Sequence, residues 1–276
     1  VARRATMKEL RTAALSKGFH PLAEEGVQRV VEGATSLAEV SRAIDLTGIA
    51  SLHQIQEKED HWLLGATTTW ADVINTSLPE YFAVLREAAR EVGGKQVKHA
   101  GTLGGNLCNA SPAADGVPAL MAMGAEVVLR SIHAQRILSL QEFILAPRRT
   151  ALAANEILTH LRIPKPQSVA RSRFLKLGAR RYLVISIVMV GVWVESEQGL
   201  VRNARVAVGA CGPVATRLLE LEAALINKPA DSELGAFVQA HHLSSLQPIA
   251  DVRADALYRL DAALTLVRRA LSETNA

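Results

Sequence analysis

Apolar positions along the chain recur with two different periods. In "LPEYFAVLREAAREVGG", Leu78, Phe82, Leu85, Ala89 and Val92 share one helical face. Glu80, Arg86 and Arg90 lie elsewhere, and Gly93-Gly94 marks the expected stop. "RADALYRLDAALTLVRRAL" predicts a closing helix whose apolar face is Leu257, Leu260, Leu264, Val267 and Leu271. "TMKELRTAALSKG" and "VATRLLELEAALIN" also have helical spacing, and Pro112 or Pro118 starts a short helix through "ALMAMGA". Strand-like runs are "VQRVVEGATSL", the stretch ending in "LLGATTT" after a turn at "EKED", and "NEILTHLRIP", while "EVVLRS" and "RILSLQEFI" read as strand and connector. Three more follow: "SRFLKLGA", "LVISIVMVGVWVESEQG" and "VRNARVAVGACG", with a turn at Gln198-Gly199. The run "YLVISIVMVGVWVE" falls short of a membrane span and ends in Glu195, so it reads as a buried strand with a bend at Gly191. Helices and strands mix without regular βαβ alternation, which predicts an α+β fold rather than a doubly wound sheet.

The 276 residues suffice for two or three modest domains. The polar, Pro-containing segment after "LRIP" is the best boundary. Hydrophobic residues make up 49% and charged residues 21%, an ordinary globular composition. Aromatics are 4%, so the core is mostly Ala, Leu and Val, and no stacking surface for nucleic acid is expected. The formal charge of +4 carries no long basic run and reads as a solvated mixed-charge surface. Cys108 and Cys211 lie far apart and lack CxxC spacing. They suggest neither a disulfide framework nor a zinc site, and two cysteines cannot hold an all-cysteine iron–sulfur cluster. With no apolar leader in "VARRATMKEL", a reducing cytoplasm is the expected compartment.

One stretch departs from ordinary packing: "KQVKHAGTLGGNLCNASPAADGVPAL". Gly104 and Gly105 carry no Cβ, so a ligand can approach their amides, and consecutive amides form a concave anion site suited to a pyrophosphate. Thr102 adds a hydroxyl, and Asn106 adds two donors and an acceptor. Asp115, nine residues on from Asn106, can accept from a sugar hydroxyl or cap the next helix. A tight turn is the plain alternative for a glycine pair. A second small-residue loop, Glu32-Gly33-Ala34-Thr35-Ser36, also follows a β-branched run, and a plain turn explains it equally. The spacing is neither GxGxxG nor GxxxxGK[ST], and the chain has no HExxH and no GxSxG. No catalytic acid–base pair and no metal site stand out.

"GKQVKHAGTLGGNLCNASPAAD" resembles the flavin-binding segment of the molybdenum hydroxylase family, which includes xanthine dehydrogenase and the medium subunit of carbon monoxide dehydrogenase. "VVEGATSLAEVSRAIDLTGIASLHQI", "ANEILTHLRIP", "FLKLGARR" and "DVRADALYRLDAALTLVRRAL" resemble further family segments in order, so the likeness covers nearly the whole chain. The Thr-x-Gly-Gly-Asn core with its downstream Ser-Pro-x-x-Asp is the specific part. The resemblance implies an α+β fold: an FAD-binding domain of the vanillyl-alcohol-oxidase (PCMH) type in two subdomains, residues 1–56 and 57–166. A C-terminal α+β domain of the CO dehydrogenase flavoprotein type would follow, residues 167–276. Carried over by motif, the FAD contacts would be Val31, Glu32, Gly33, Ala34, Thr35, Ser36 and Leu37 in the first loop. The second set would be Thr102, Leu103, Gly104, Gly105 and Asn106 with Asp115. Leu158 would supply an apolar wall, and Lys176 would stabilise negative charge on reduced flavin, with a solvated strand lysine as its plain alternative.

Three departures qualify the likeness. The first loop commonly reads Gly-Gly-Thr-Asp, whereas here Glu32 precedes Gly33-Ala34-Thr35-Ser36. Val92 stands where xanthine dehydrogenase has an aromatic residue. That enzyme's acidic segment is missing after Lys176, which counts against NAD as the acceptor, while Arg180 and Arg181 suit an anionic partner or plain surface.

In the family, chemistry occurs at a molybdopterin centre on a large subunit, and electrons cross two [2Fe–2S] clusters of a small subunit to FAD and then to an external acceptor. The resemblance therefore implies an electron-transfer subunit of a heteromeric oxidoreductase. The cysteine-ligated extra cluster of the 4-hydroxybenzoyl-CoA reductase branch is disfavoured by the two cysteines. The alternatives are a stand-alone FAD oxidoreductase, for which His99 is the only histidine beside the motif, and a flavin-free interaction subunit.

Overall fold

The structure is a computed structural model that describes residues 45–274. The expected first helix and the loop Val31–Leu37 lie outside the described residues, and the compact unit considered below is Ile49–Ala276. Its elements follow in chain order. β1 (Ile55–Glu57) and β2 (His61–Gly65) form a hairpin. Five helices come next: α1 (Trp70–Asn75), α2 (Ala83–Glu91), α3 (Lys95–Ala100), α4 (Leu103–Asn109) and α5 (Gly116–Ala122). Then come β3 (Glu126–Arg130), β4 (Gln135–Ser139), α6 (Leu140–Phe143), β5 (Ile144–Ala146), β6 (Arg149–Thr150) and β7 (Ile157–Pro164). The last set is β8 (Val169–Leu177), β9 (Val188–Glu197), β10 (Leu200–Gly209), β11 (Thr216–Arg217), α7 (Leu219–Leu225) and α8 (Ala256–Thr274).

Two antiparallel sheets organise the unit. The first has the order β1-β2-β7-β3-β4, so β7 returns to the centre between strands formed about 30 and 100 residues earlier. The second has the order β11-β10-β9-β8. Gln198 and Gly199 join β9 to β10 with φ of 54° and 75°, the pair of left-handed residues that a type I′ hairpin requires.

β9 explains its own sequence. Met189 and Trp193 join the core of the first sheet and its helices. Val188, Val190, Val192 and Val194 join a second core against α7 and α8. A strand buried on both faces needs an unbroken apolar run. The bend expected at Gly191 is absent: the strand continues through it, in register with Phe174 and Ala207. A Cβ there would stand 2.7 Å from the Pro118 carbonyl oxygen of α5, so the glycine permits a close approach of helix to sheet.

Two other expectations are corrected. α5 begins at Gly116, so Pro118 sits inside its first turn, where proline costs no intrahelical hydrogen bond. In α8 the apolar face is rotated. Leu257 is 80% exposed, Leu260 and Leu264 are half-buried, and Arg259 is only 1% exposed. Ala263, Val267, Ala270 and Leu271 form the packed stripe. Arg259 donates to the carbonyls of Ile187 and Ala210 and to Asp251, which explains why a guanidinium takes a core position.

β8 is fixed by polar links that a periodicity analysis does not see. Ser172 donates to the Tyr81 carbonyl and accepts from the Val84 amide. Arg173 pairs with Glu87 of α2 and Glu273 of α8. The crossing from β7 to β8 is held by Glu195, whose Oε1 accepts from the Gln167 and Ser168 amides at 2.6 and 2.8 Å. Among the described residues no helix is long and apolar enough to cross a membrane.

Candidate functional site

The Thr-x-Gly-Gly-Asn motif forms the first turn of α4 rather than an open loop. Thr102 is its N-cap in extended conformation, and its Oγ1 accepts from the Gly105 amide at 3.0 Å. The Leu103 amide donates to the Thr68 carbonyl at 2.9 Å, and the Gly104 amide donates to the Ala66 carbonyl at 2.8 Å. The Asn106 amide donates to the Thr102 carbonyl at 3.0 Å. All four amides from Leu103 to Asn106 thus have protein partners. The expectation that this stretch offers a row of free N–H groups is overturned. The cause is the docking of the turn on the segment after β2, which recruits its outward amides. Gly104 is the point of closest approach, because a Cβ would lie 2.7 Å from the Ala66 carbonyl oxygen. Gly105 is exposed, and only the Thr102 Oγ1 lies near the place of its missing Cβ.

The side chains distribute differently. Leu103 and Leu158 are buried in the main core, Leu158 opposite Leu129 of β3. Asn106 Oδ1 is buried and has no hydrogen-bond donor. Asp115 sits at the N-cap position of α5, but its carboxylate makes no capping bond. It accepts instead from Lys176 Nζ at 2.7 Å and from Ser186 Oγ at 2.6 Å. The side chains of Lys176 and Asp115 are 6% and 10% exposed, so Lys176 is not a solvated strand lysine. Burial pushes the Asp115 carboxyl above the usual range, and the Lys176 ammonium and the Ser186 hydroxyl pull against that rise.

Beyond β8 the chain passes through Gly178, Arg180, Arg181 and Val184, which with Lys176 and Glu91 line a groove of ≈ 410 Å³. Arg180 donates to the Leu183 carbonyl within that segment. Arg181 lies over the Tyr182 ring at 5.3 Å. Tyr182, Leu183 and Ile185 are exposed. His99 is exposed on α3 and is not brought to this groove. Val92 closes α2 and packs half-buried on the core. Burial raises both thiols, Cys211 to about 11.

The structure therefore brings Asp115 and Lys176 together directly, and the turn Thr102–Asn106 opens α4, which packs against α5. Three contributors were missed from sequence. Ala66 and Thr68 act through carbonyls, which leave no residue-type signal. Ser186 left one, as a lone hydroxyl inside the apolar run "YLVISIVMV".

The flavin dinucleotide implied by the resemblance suits three features of this region. The unsatisfied Asn106 Oδ1 seeks a donor, since a buried acceptor without one costs about 1–3 kcal/mol. The Gly105 edge of the turn is open. Lys176 brings a cation to the bottom of the groove. Among the described residues no cluster of His, Cys, Asp or Glu is arranged to hold a metal ion.

Comparison with known proteins agrees over most of the chain. Residues 3–166 match the family described as FAD binding domain in molybdopterin dehydrogenase, and residues 173–274 match the CO dehydrogenase flavoprotein C-terminal domain. The nicotinate dehydrogenase FAD-subunit of Eubacterium barkeri is 32% identical over 69% of this chain and 66% of that subunit. The xanthine dehydrogenase FAD-binding subunit of Escherichia coli O157:H7 is 24% identical over 95% of this chain and 94% of its own. Carbon monoxide dehydrogenase from Hydrogenophaga pseudoflava superposes with a TM-score of 0.76 at 29% identity, covering 84% of this chain and 80% of that one. The two matched segments take in most of the chain, which belongs to the family of FAD-binding domains of molybdopterin dehydrogenases, joined to a CO dehydrogenase flavoprotein C-terminal domain.

Proposed function

We propose that this chain is the FAD-binding electron-transfer subunit of a heteromeric molybdopterin-dependent dehydrogenase. Its partners would be a molybdopterin-binding large subunit and a [2Fe–2S] small subunit. Relatives named as medium subunits support the heteromeric reading, among them that of nicotine 6-hydroxylase from Paenarthrobacter nicotinovorans, 27% identical over 88% of this chain. When bound, FAD supplies the redox chemistry, taking electrons from a partner cluster and giving them to an acceptor outside the chain.

The protein's part is to bind and orient. Thr102 and Gly105 present the open edge of the α4 turn to the dinucleotide, Asn106 contributes its buried Oδ1 beside Gly116, and Leu103 and Gly104 anchor the turn from behind. By motif, the loop Val31, Glu32, Gly33, Ala34, Thr35, Ser36 and Leu37 is the other FAD-binding segment of this proposal. Leu158 supports the site by packing beneath it. Lys176 provides the positive charge that favours a reduced flavin, and Asp115 holds Lys176 rather than a sugar. The subdomains 1–56 and 57–166 and the C-terminal domain 167–276 are the units of this arrangement.

The observation that carries the reading is Asn106 Oδ1, a buried acceptor that no protein group satisfies. Asn106→Leu keeps the volume and removes that acceptor. The variant is expected to be at least as stable as the parent in denaturant unfolding, yet to bind FAD about tenfold more weakly, the loss of about 1.4 kcal/mol. Titration of FAD into the purified full chain, followed by flavin fluorescence and the visible spectrum, measures this. A parent chain that takes up no flavin defeats the proposal.

A further inference from the structure

Asp115 holds both ends of one loop. Lys176, at the end of β8, donates to Asp115 Oδ2, and Ser186, just before β9, donates to Asp115 Oδ1. Between them the chain runs out through the exposed residues Tyr182, Leu183 and Ile185 and returns. Ser186 is itself fully buried and doubly fixed, because its carbonyl accepts from Arg253 Nη1 at 3.1 Å. The next residue, Ile187, donates its amide to the Leu177 carbonyl and accepts from Arg259. Asp251 joins those two arginines. The backbone of Ser186 is therefore anchored by Arg253, and its hydroxyl meets the carboxylate oxygen that Lys176 leaves.

We propose that Ser186 is a positioning residue for Lys176, acting through Asp115 to set how much positive charge the ammonium presents to a bound flavin. The inference rests on the reading of Lys176 given above. The physical reason is competition for one carboxylate. With the hydroxyl donating to Oδ1, part of the negative charge is met by Ser186, and Lys176 is neutralised less completely. Without that donor, Lys176 alone must answer the buried carboxylate. Its charge is then offset more fully, and a reduced flavin gains less from it. Ser186 touches no flavin in this scheme.

The test compares midpoint potentials of FAD on the full chain, measured by dye-equilibrated reduction, for the parent, Ser186→Ala, Lys176→Met and the double variant. Ser186→Ala is expected to retain FAD and to shift the potential to more negative values. In the Lys176→Met background the same substitution is expected to shift nothing, because the effect runs through the ammonium. Ser172→Ala, which removes a β8 hydroxyl bonded only to backbone groups, is expected to lower stability and leave the potential unchanged. Ser186→Cys keeps the volume with a weaker donor and replaces the alanine variant if that one does not fold. An unchanged potential in a flavin-loaded Ser186 variant overturns this inference alone, as does an equal shift with and without Lys176. Failure of the parent chain to take up FAD overturns the inference and the functional reading together.

Discussion

The turn at Thr102–Asn106 and the cluster of Lys176, Asp115 and Ser186 solve opposite problems. The turn consists of small residues whose amides all bond within the protein, leaving one side-chain acceptor unsatisfied. The cluster consists of charged and hydroxyl groups that satisfy one another out of water. In the first, glycine serves the approach of protein to protein at Gly104 and exposes only Gly105. In the second, burial makes a single hydroxyl consequential. The lesson is that bare backbone in a sequence does not equal available amide, and that the buried cation Lys176 sits on β8, outside the motif.

The largest effect is expected from breaking the cluster. Asp115→Ala leaves the Lys176 ammonium buried and unpaired, a loss of about 3–5 kcal/mol in unfolding free energy. Asp115→Leu combined with Lys176→Met removes both charges and should cost much less, so strict additivity of the single changes would sink the assignment of a coupled pair.

Within the turn, the two glycines should separate. Gly104→Ala forces a methyl against the Ala66 carbonyl and is expected to cost about 1–3 kcal/mol. Gly105→Ala meets only the Thr102 hydroxyl, and its stability should stay within about 1 kcal/mol of the parent, since helix propensity offsets the crowded cap. Thermal unfolding of the two variants checks this ordering, and equal losses would refute the docked geometry of α4.

The smallest effect comes from the pair of Glu156 with the half-exposed Arg136, set beside the buried pair. Arg136 and the Ala153 amide hold the Glu156 carboxyl down to about 2 from an ordinary value of 4.5. Its contribution is present above the unfolded value and is lost as pH falls through the folded one, between 4.5 and about 2. Glu156→Gln should flatten the acid limb of a stability-against-pH curve slightly, whereas variants of Asp115 should change stability at neutral pH.

Helix α2 within the expected stretch 78–92, the β9–β10 hairpin at Gln198-Gly199 and the twice-buried run of β9 were legible because each depends on local periodicity or on turn chemistry, but α2 starts only at Ala83, after a 3-10 turn at Glu80–Phe82, and β9 only at Val188, after a loop in which Tyr182, Leu183 and Ile185 are exposed. The face of α8 was misjudged at Leu257 and Arg259, because a buried guanidinium is tolerated only where distant carbonyls and Asp251 meet it. The family and its cofactor were legible from the motif around Gly104 and Gly105, whose spacing is a property of the chain itself.

By itself, the order of residues determined the element types, the α+β class and the place of the dinucleotide motif, since propensity, period and spacing are short-range. Tertiary structure alone decided which amides of that motif are engaged, that Asp115 answers Lys176, and that Ser186 joins them. Those contacts span 61 and 71 residues of chain, and hydrogen bonds over such separations exist only once two sheets and the helices between them have packed.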